Sequence, residues 1–176
     1  MSERQLKGGV ILGYFDFIKH QWGEDGVNDC IEATGIDPKI LKEETFYPSK
    51  ANERILKWIS DTHGREHLQK AGNHVVKNLG SLSYLVKFVN IKHLLKRAKS
   101  NYENAFDFGE ISVLLNEHGK CATVIMKDCN SIEESYVAWL GAFEGMMEVT
   151  NTKGTVMLNK REIDGDEYDE YLLDWM

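Results

Sequence analysis

The period of the apolar residues in this 176-residue chain changes near Asn101. Before that point they recur at about 3.6 positions, which is the period of an α-helix with a buried face; after it they alternate with polar residues in several segments, as in a β-strand. The sequence therefore predicts an α+β fold, in which an N-terminal helical layer is followed by an antiparallel sheet of two hairpins with an intervening helix.

Glycines and a proline divide the first half of the chain into helices. Gly9 to His20 has apolar residues at helical spacing, and the glycine-rich stretch Gly23-Glu24-Asp25-Gly26 then interrupts the pattern before a second short helix. Tyr47-Pro48-Ser49 opens the next helix, and Gly64 stands where that helix would end. A further helix is predicted from about Arg65 to Asn78.

The longest predicted helix runs from Leu82 to about Asn101 and is apolar on two sides. One side carries Tyr84, Phe88, Ile91, Leu95 and Ala98, and the nearly opposite side carries Leu82, Val86 and Val89. A helix that is apolar on two sides usually lies between two layers, so we expect it at the centre of the fold.

Alternating apolar residues in the second half predict the two hairpins. Ile111, Val113 and Leu115 precede the turn Asn116 to Gly119, and Ala122, Val124 and Met126 follow it. Strands near Thr155 to Lys160 and Tyr168 to Trp175 form the second hairpin around Asp164-Gly165-Asp166.

A helix is predicted between the hairpins. Ser131 and Glu134 have capping-box spacing, and behind them lies one helical stripe of apolar residues, Ile132, Tyr136, Trp139, Leu140, Phe143 and Met147.

Length and charge narrow the class of protein. With 42% hydrophobic residues, residues 1–176 suffice for one compact domain. A net charge of −7 disfavours nucleic acid as a partner, and no apolar run approaches the ~20 residues of a membrane span.

We expect a reducing, cytoplasmic location, because the three cysteines form no paired motif and the N-terminus is unlike a signal peptide.

Several short segments carry a family resemblance. They are Lys7 to Leu12, His20-Gln21-Trp22-Gly23, Tyr47-Pro48, and Trp139 to Gly145 before strands that close at Trp175. In this order they resemble the heme nitric-oxide/oxygen-binding (H-NOX) superfamily, together with its heme-free relatives, the vinyl-reductase-type ligand-binding domains and the TRAPP trafficking subunits.

The resemblance implies a sensory domain and raises the question of heme. Heme-binding members ligate iron with a histidine on a central helix, and His93 is the only candidate here. They hold the heme propionates with a Tyr-x-Ser-x-Arg strand motif, but the matching strand reads Val124-Ile125-Met126-Lys127-Asp128-Cys129, and a single lysine beside an aspartate is a poor propionate partner. We therefore expect no cofactor, with heme b on His93 as the alternative.

Other chemical sites are weaker candidates. His63, His67 and His74 could align on one face of an unbroken helix, but Gly64 interrupts it and no carboxylate or cysteine completes the set. We also expect none of the three to lie next to an apolar wall, and therefore no metal site. Cys30, Cys121 and Cys129 are interpreted as small buried residues. No nucleophile, phosphate-loop or zinc-protease motif is present, which argues against an enzyme.

The sequence therefore favours a stand-alone sensory or regulatory module that binds a small apolar ligand, a signalling protein, or both. The expected pocket residues are Tyr84, Phe88, Tyr136, Trp139 and Phe143. Gly141 and Gly145 permit a close backbone approach, which suits either internal packing or a homodimer contact. The alternatives are a heme-dependent NO/O2 sensor and a small-molecule enzyme whose active-site residues are scattered along the chain.

Overall fold

The protein is described here by a computed structural model that covers residues 3–78, 90–116 and 120–176. Within these ranges the elements, in chain order, are β1 (Gln5–Lys7), α1 (Gly8–Thr34), β2 (Phe46–Pro48), α2 (Ser49–His63), α3 (Glu66–Lys77), α4 (Ile91–Lys96), α5 (Ala98–Ala105), β3 (Glu110–Asn116), β4 (Cys121–Lys127), α6 (Glu133–Val149), β5 (Gly154–Lys160) and β6 (Asp169–Trp175). The predicted α+β order of helices, hairpin, helix and hairpin is confirmed. Among the helices in these ranges, none is both long and apolar enough to cross a membrane.

The predicted interruption of the first helix is a kink inside α1. Gly23 has φ 71° and ψ −166°, a backbone conformation that is not helical, and the helix resumes after it. Gly35 ends the helix in the left-handed region, where its N–H donates to the Ile31 carbonyl. Both positions use the freedom that glycine has at positive φ.

A small sheet that periodicity did not predict fixes the start of the chain. β1 and β2 pair antiparallel, with Leu6 opposite Tyr47. Each strand has three residues, which is too short for an alternating pattern to be recognised. Leu6 also forms an isolated antiparallel β-bridge with Phe106, so strand β1 contacts the second half of the chain.

The main sheet has four antiparallel strands in the order β3-β4-β6-β5. Its register aligns Val113, Val124, Tyr171 and Leu158 in one row across the inner face. The predicted alternation is confirmed, since Ala122, Val124 and Met126 are all buried on that face. The predicted turn between β3 and β4 includes residues 117–119, which lie outside the described residues.

The central helix of the described structure is α6. One of its sides places Tyr136, Phe143 and Met147 in the core that covers the sheet. Its other side packs on α3 so closely that a Cβ atom added to Gly141 would overlap the Gln69 carbonyl oxygen. The two glycines Gly141 and Gly145 therefore serve internal packing, and α6 joins the helical layer to the sheet.

Two local predictions need correction. The predicted helix from Leu82 to Asn101 falls outside the described residues up to position 89, and the remainder is two short helices, α4 and α5, which meet at Arg97 and extend to Ala105. The predicted capping box at Ser131 does not form, because α6 begins after Ile132 without a side-chain hydrogen bond at its N-cap.

Candidate ligand-binding site

Five aromatic rings form a continuous series between the helices and the sheet. Neighbouring ring centroids are 4.6 Å apart for Tyr102 and Phe106, 5.8 Å for Phe106 and Trp139, 5.6 Å for Trp139 and Phe143, and 5.0 Å for Phe143 and Tyr171. We call these five residues the aromatic cluster. It lies where α5, α6 and β6 meet, and Trp139 and Phe106 are its half-buried members.

The predicted pocket residues overlap with this cluster only in part. Trp139 and Phe143 belong to it, and Tyr136 is buried one turn before Trp139 on α6. Tyr84 and Phe88 lie outside the described residues, so their part in the pocket stays a prediction. Tyr102 was missed, although it follows Ala98 by four positions and would have been found if the predicted helix had been continued beyond Asn101.

Polar groups are buried at the sheet end of the cluster. Asp169 is 1% exposed on the inner face of β6, and its Oδ1 accepts a hydrogen bond from the Glu162 N–H at 2.7 Å. Asp169 Oδ2 and the Tyr171 hydroxyl are buried and have no hydrogen-bond partner. Burial raises the pKa of Asp169, while the hydrogen bond from the Glu162 N–H and the neighbouring Tyr136 hydroxyl act to lower it.

Cys129 lies next to this polar region, and its side chain is a free thiol. Its Sγ is 3.4 Å from the Tyr102 hydroxyl, and burial raises its pKa to about 11. Burial also raises the pKa of Cys30 to about 11. Cys30 and Cys129 are therefore buried small residues, as predicted, and neither has the thiolate character of a nucleophile. Cys121 is half-buried.

His93 lies on the outer side of α4. Ile91 and Leu95 are buried on the inner side of this helix, whereas His93 is exposed and its backbone N–H is capped by the Asn90 side chain at 3.0 Å. The side chain that α4 directs into the core at this level is that of Leu95, which has no atom able to ligate iron. The role of His93 as an axial ligand stays a prediction.

The strand that the resemblance assigns to the heme propionates is β4, and its inner face lacks their donors. The inner face of β4 presents Ala122, Val124 and Met126, which offer no donor to a propionate.

The histidines considered for a metal site have other surroundings. His63 is stacked on Trp22 with ring centroids 3.7 Å apart, so the expectation that no apolar wall adjoins it was wrong. Gly64 does separate α2 from α3. His74 is 2.7 Å from Asp16. In the described part of the chain, no three histidine, cysteine or acidic residues come together as metal ligands.

Two open surface pockets lie away from the aromatic cluster. One of about 350 Å³ is lined mostly by polar residues of α1, α3 and α6, among them Asn73 and Lys77. The other, of about 460 Å³, lies between Asn90 and the C-terminal Trp175 and Met176. Neither is lined by a residue of the aromatic cluster.

Comparison with known proteins gives likeness in structure alone. No protein-family model and no curated protein matches the sequence. An H-NOX protein from S. oneidensis in the Fe(II)NO ligation state is similar over 97% of this chain and 99% of its own, with a TM-score of 0.77 and 12% identity. The Fe(II) unliganded H-NOX protein from K. algicida is similar over 97% of each chain, with a TM-score of 0.69 and 16% identity.

An oxygen-binding H-NOX domain related to soluble guanylate cyclases, solved as its oxygen complex, is also similar. The match covers 97% of this chain and 95% of that one, with a TM-score of 0.73 and 13% identity. The chain therefore has an H-NOX-like fold, as its sequence predicted. The likeness to vinyl-reductase-type domains and TRAPP subunits stays a prediction.

Proposed function

We propose that this protein is a sensory or regulatory module that binds a small apolar ligand between its helical layer and its sheet, without heme and without catalysing a reaction. The observation that carries the proposal is the aromatic cluster, which lies between the helices and the sheet in a fold shared with ligand-binding sensor domains. Aromatic side chains are typical of the walls of small-molecule sites.

Helix α6 provides a route from the ligand to the surface. Trp139 and Phe143 of this helix contact the cluster, and Gly141 on its other side touches the backbone of α3. A ligand that separates the rings would shift α6, and α3 would have to follow because no side chain lies between the two backbones. Two packed states of this kind differ in their exposed surface, which a protein partner or a second copy of the chain can recognise.

A heme-dependent sensor of NO or O2, with His93 as the iron ligand, is the second candidate. It is favoured by the structural neighbours, which include an H-NOX protein in the Fe(II)NO state and an oxygen-binding H-NOX domain solved as its oxygen complex. The outward orientation of His93 and the absence of propionate donors on the inner face of β4 weigh against it.

Reconstitution with hemin separates the two candidates. We expect the reduced protein to show no Soret band beyond that of free hemin, and His93→Ala to behave like the wild type. His20→Ala, which removes another exposed histidine, is the control. A Soret band that shifts with NO and is lost in His93→Ala alone would establish the heme sensor and overturn the heme-free proposal.

A further inference from the structure

Two buried polar atoms on β6 lack hydrogen-bond partners. They are Asp169 Oδ2 and the Tyr171 hydroxyl, in residues that are 1% and 0% exposed. Burying such a group without a partner costs about 1–3 kcal/mol, so native proteins normally satisfy it with protein, water or ligand. Two of them in one place indicate that a polar group belongs there.

The two residues that carry these atoms lie on the same buried face of β6. Asp169 and Tyr171 are two positions apart on the inner face of the strand, and their Cα atoms are therefore about 7 Å apart. Burial raises the pKa of Tyr171, and the neighbouring Asp169 acts in the same direction. The Tyr171 ring also contacts Phe143, so this polar end is continuous with the aromatic cluster.

The chemistry of the pair selects the kind of group. A carboxyl oxygen without a donor requires an N–H or O–H, and a tyrosine hydroxyl can both donate and accept. An anionic group would be repelled by Asp169 in its ionised form. The neighbouring cation Arg161 already pairs with Glu133 at 2.9 Å and with Asp164, so its charge is shared with two acids.

We propose that Asp169 and Tyr171 form the polar end of the ligand site and bind a neutral or cationic ligand through a hydroxyl or amino group, while the ligand's apolar body lies against Phe143 and Trp139. This inference rests on the proposed function, because it assumes that a ligand enters the aromatic cluster. Trp139 is half-buried, so entry needs the least rearrangement beside it.

Four monosubstituted benzenes test the proposal, because they share a ring and differ in the attached group: toluene, phenol, benzylamine and benzoate. Their dissociation constants are measured by ligand-observed NMR on the wild-type protein and on Trp139→Ala, which enlarges the space in the cluster. We expect phenol and benzylamine to bind roughly 3- to 10-fold more tightly than toluene, as one added hydrogen bond allows. Benzoate should bind most weakly.

Variants assign the preference to the pair. Tyr171→Phe keeps the ring and should reduce the preference for phenol over toluene to near unity. Asp169→Asn should reduce the preference for benzylamine and weaken the discrimination against benzoate. Tyr14→Phe is the matched control, because it removes the hydroxyl of a buried tyrosine in α1, outside the aromatic cluster, and should leave the order unchanged.

The outcomes separate this inference from the function on which it rests. If toluene binds as well as phenol and benzylamine, or if Tyr171→Phe and Tyr14→Phe have equal effects, the assignment of Asp169 and Tyr171 as the polar end is wrong, while the apolar site is still supported. If none of the four compounds binds the wild type or Trp139→Ala, the proposed ligand site fails as well.

Discussion

The imidazole ring of His63 lies flat against the indole ring of Trp22, with ring centroids 3.7 Å apart and planes 10° from parallel. Burial and the neighbouring His67 lower the pKa of His63, and Asp29 acts weakly in the opposite direction. Because the folded pKa is below the unfolded value of about 6.5, the unfolded chain binds more protons over this range. The contribution of His63 to stability is therefore present above about pH 6.5 and is lost as the pH falls towards its folded pKa.

His63→Phe should remove part of this pH dependence, because it retains a ring on Trp22 that cannot be protonated. We expect the urea midpoint to fall less between about pH 7.5 and about pH 5.5 in this variant than in the wild type. His93→Phe, at an exposed position, is the control. If the wild type becomes more stable on acidification, attraction between the imidazolium and the indole face outweighs desolvation, and the prediction is wrong.

Gly141→Ala should strongly destabilise the protein. The new Cβ would overlap the Gln69 carbonyl oxygen, which belongs to the backbone of α3 and can move only with the helix. Overpacking of this kind costs about 3 kcal/mol in the free energy of unfolding, measured by urea denaturation.

Gly9→Ala is the matched control for Gly141→Ala. Its Cβ would meet nothing closer than 3.5 Å, so the change should be neutral or stabilise α1 slightly. Equal losses in the two variants would mean that α3 and α6 are not in backbone contact.

Asp169→Asn should make the protein more stable at neutral pH. Burial raises the pKa of Asp169, so the folded state resists its ionisation and stability falls as the pH rises from about 4 through the folded pKa. Asparagine keeps the shape and can still accept from the Glu162 N–H. The difference between variant and wild type in thermal unfolding should therefore disappear near pH 4; a variant less stable than the wild type at neutral pH would contradict this.

Periodicity predicted those elements in which one face is buried. Ile111, Val124 and Phe143 each belong to a pattern that repeats along its own segment, so no distant information was needed. The central position of α6 was not predictable in this way. Gly141 signals a close approach, but its partner Gln69 lies far away in the sequence, and only the folded chain identifies it.

The candidate site was predictable in its aromatic part and missed in its polar part. Trp139 and Phe143 follow from the helical stripe of α6. Asp169 could have been found, because the alternation read backwards from Trp175 through Leu173 and Tyr171 reaches it on the buried face. An acidic residue at the start of a strand normally indicates a turn, so Asp169 was not recognised as a buried residue.

Arg4 joins the helical layer to the sheet, and its loss should loosen the segment 128–130. Its guanidinium donates to the carbonyls of Cys129 at 2.6 Å and Asn130 at 2.9 Å, and to Glu53 of α2 at 2.9 Å. The segment needs this support because Asp128 and Asn130 both have positive φ.

Arg4→Ala should therefore lower the free energy of unfolding by about 2 kcal/mol, measured by urea denaturation, and speed amide exchange in this segment. Arg65→Ala, which breaks an exposed ion pair with Glu133, should cost less than about 1 kcal/mol. Unchanged exchange at 128–130 in Arg4→Ala would show that the segment holds its conformation without Arg4.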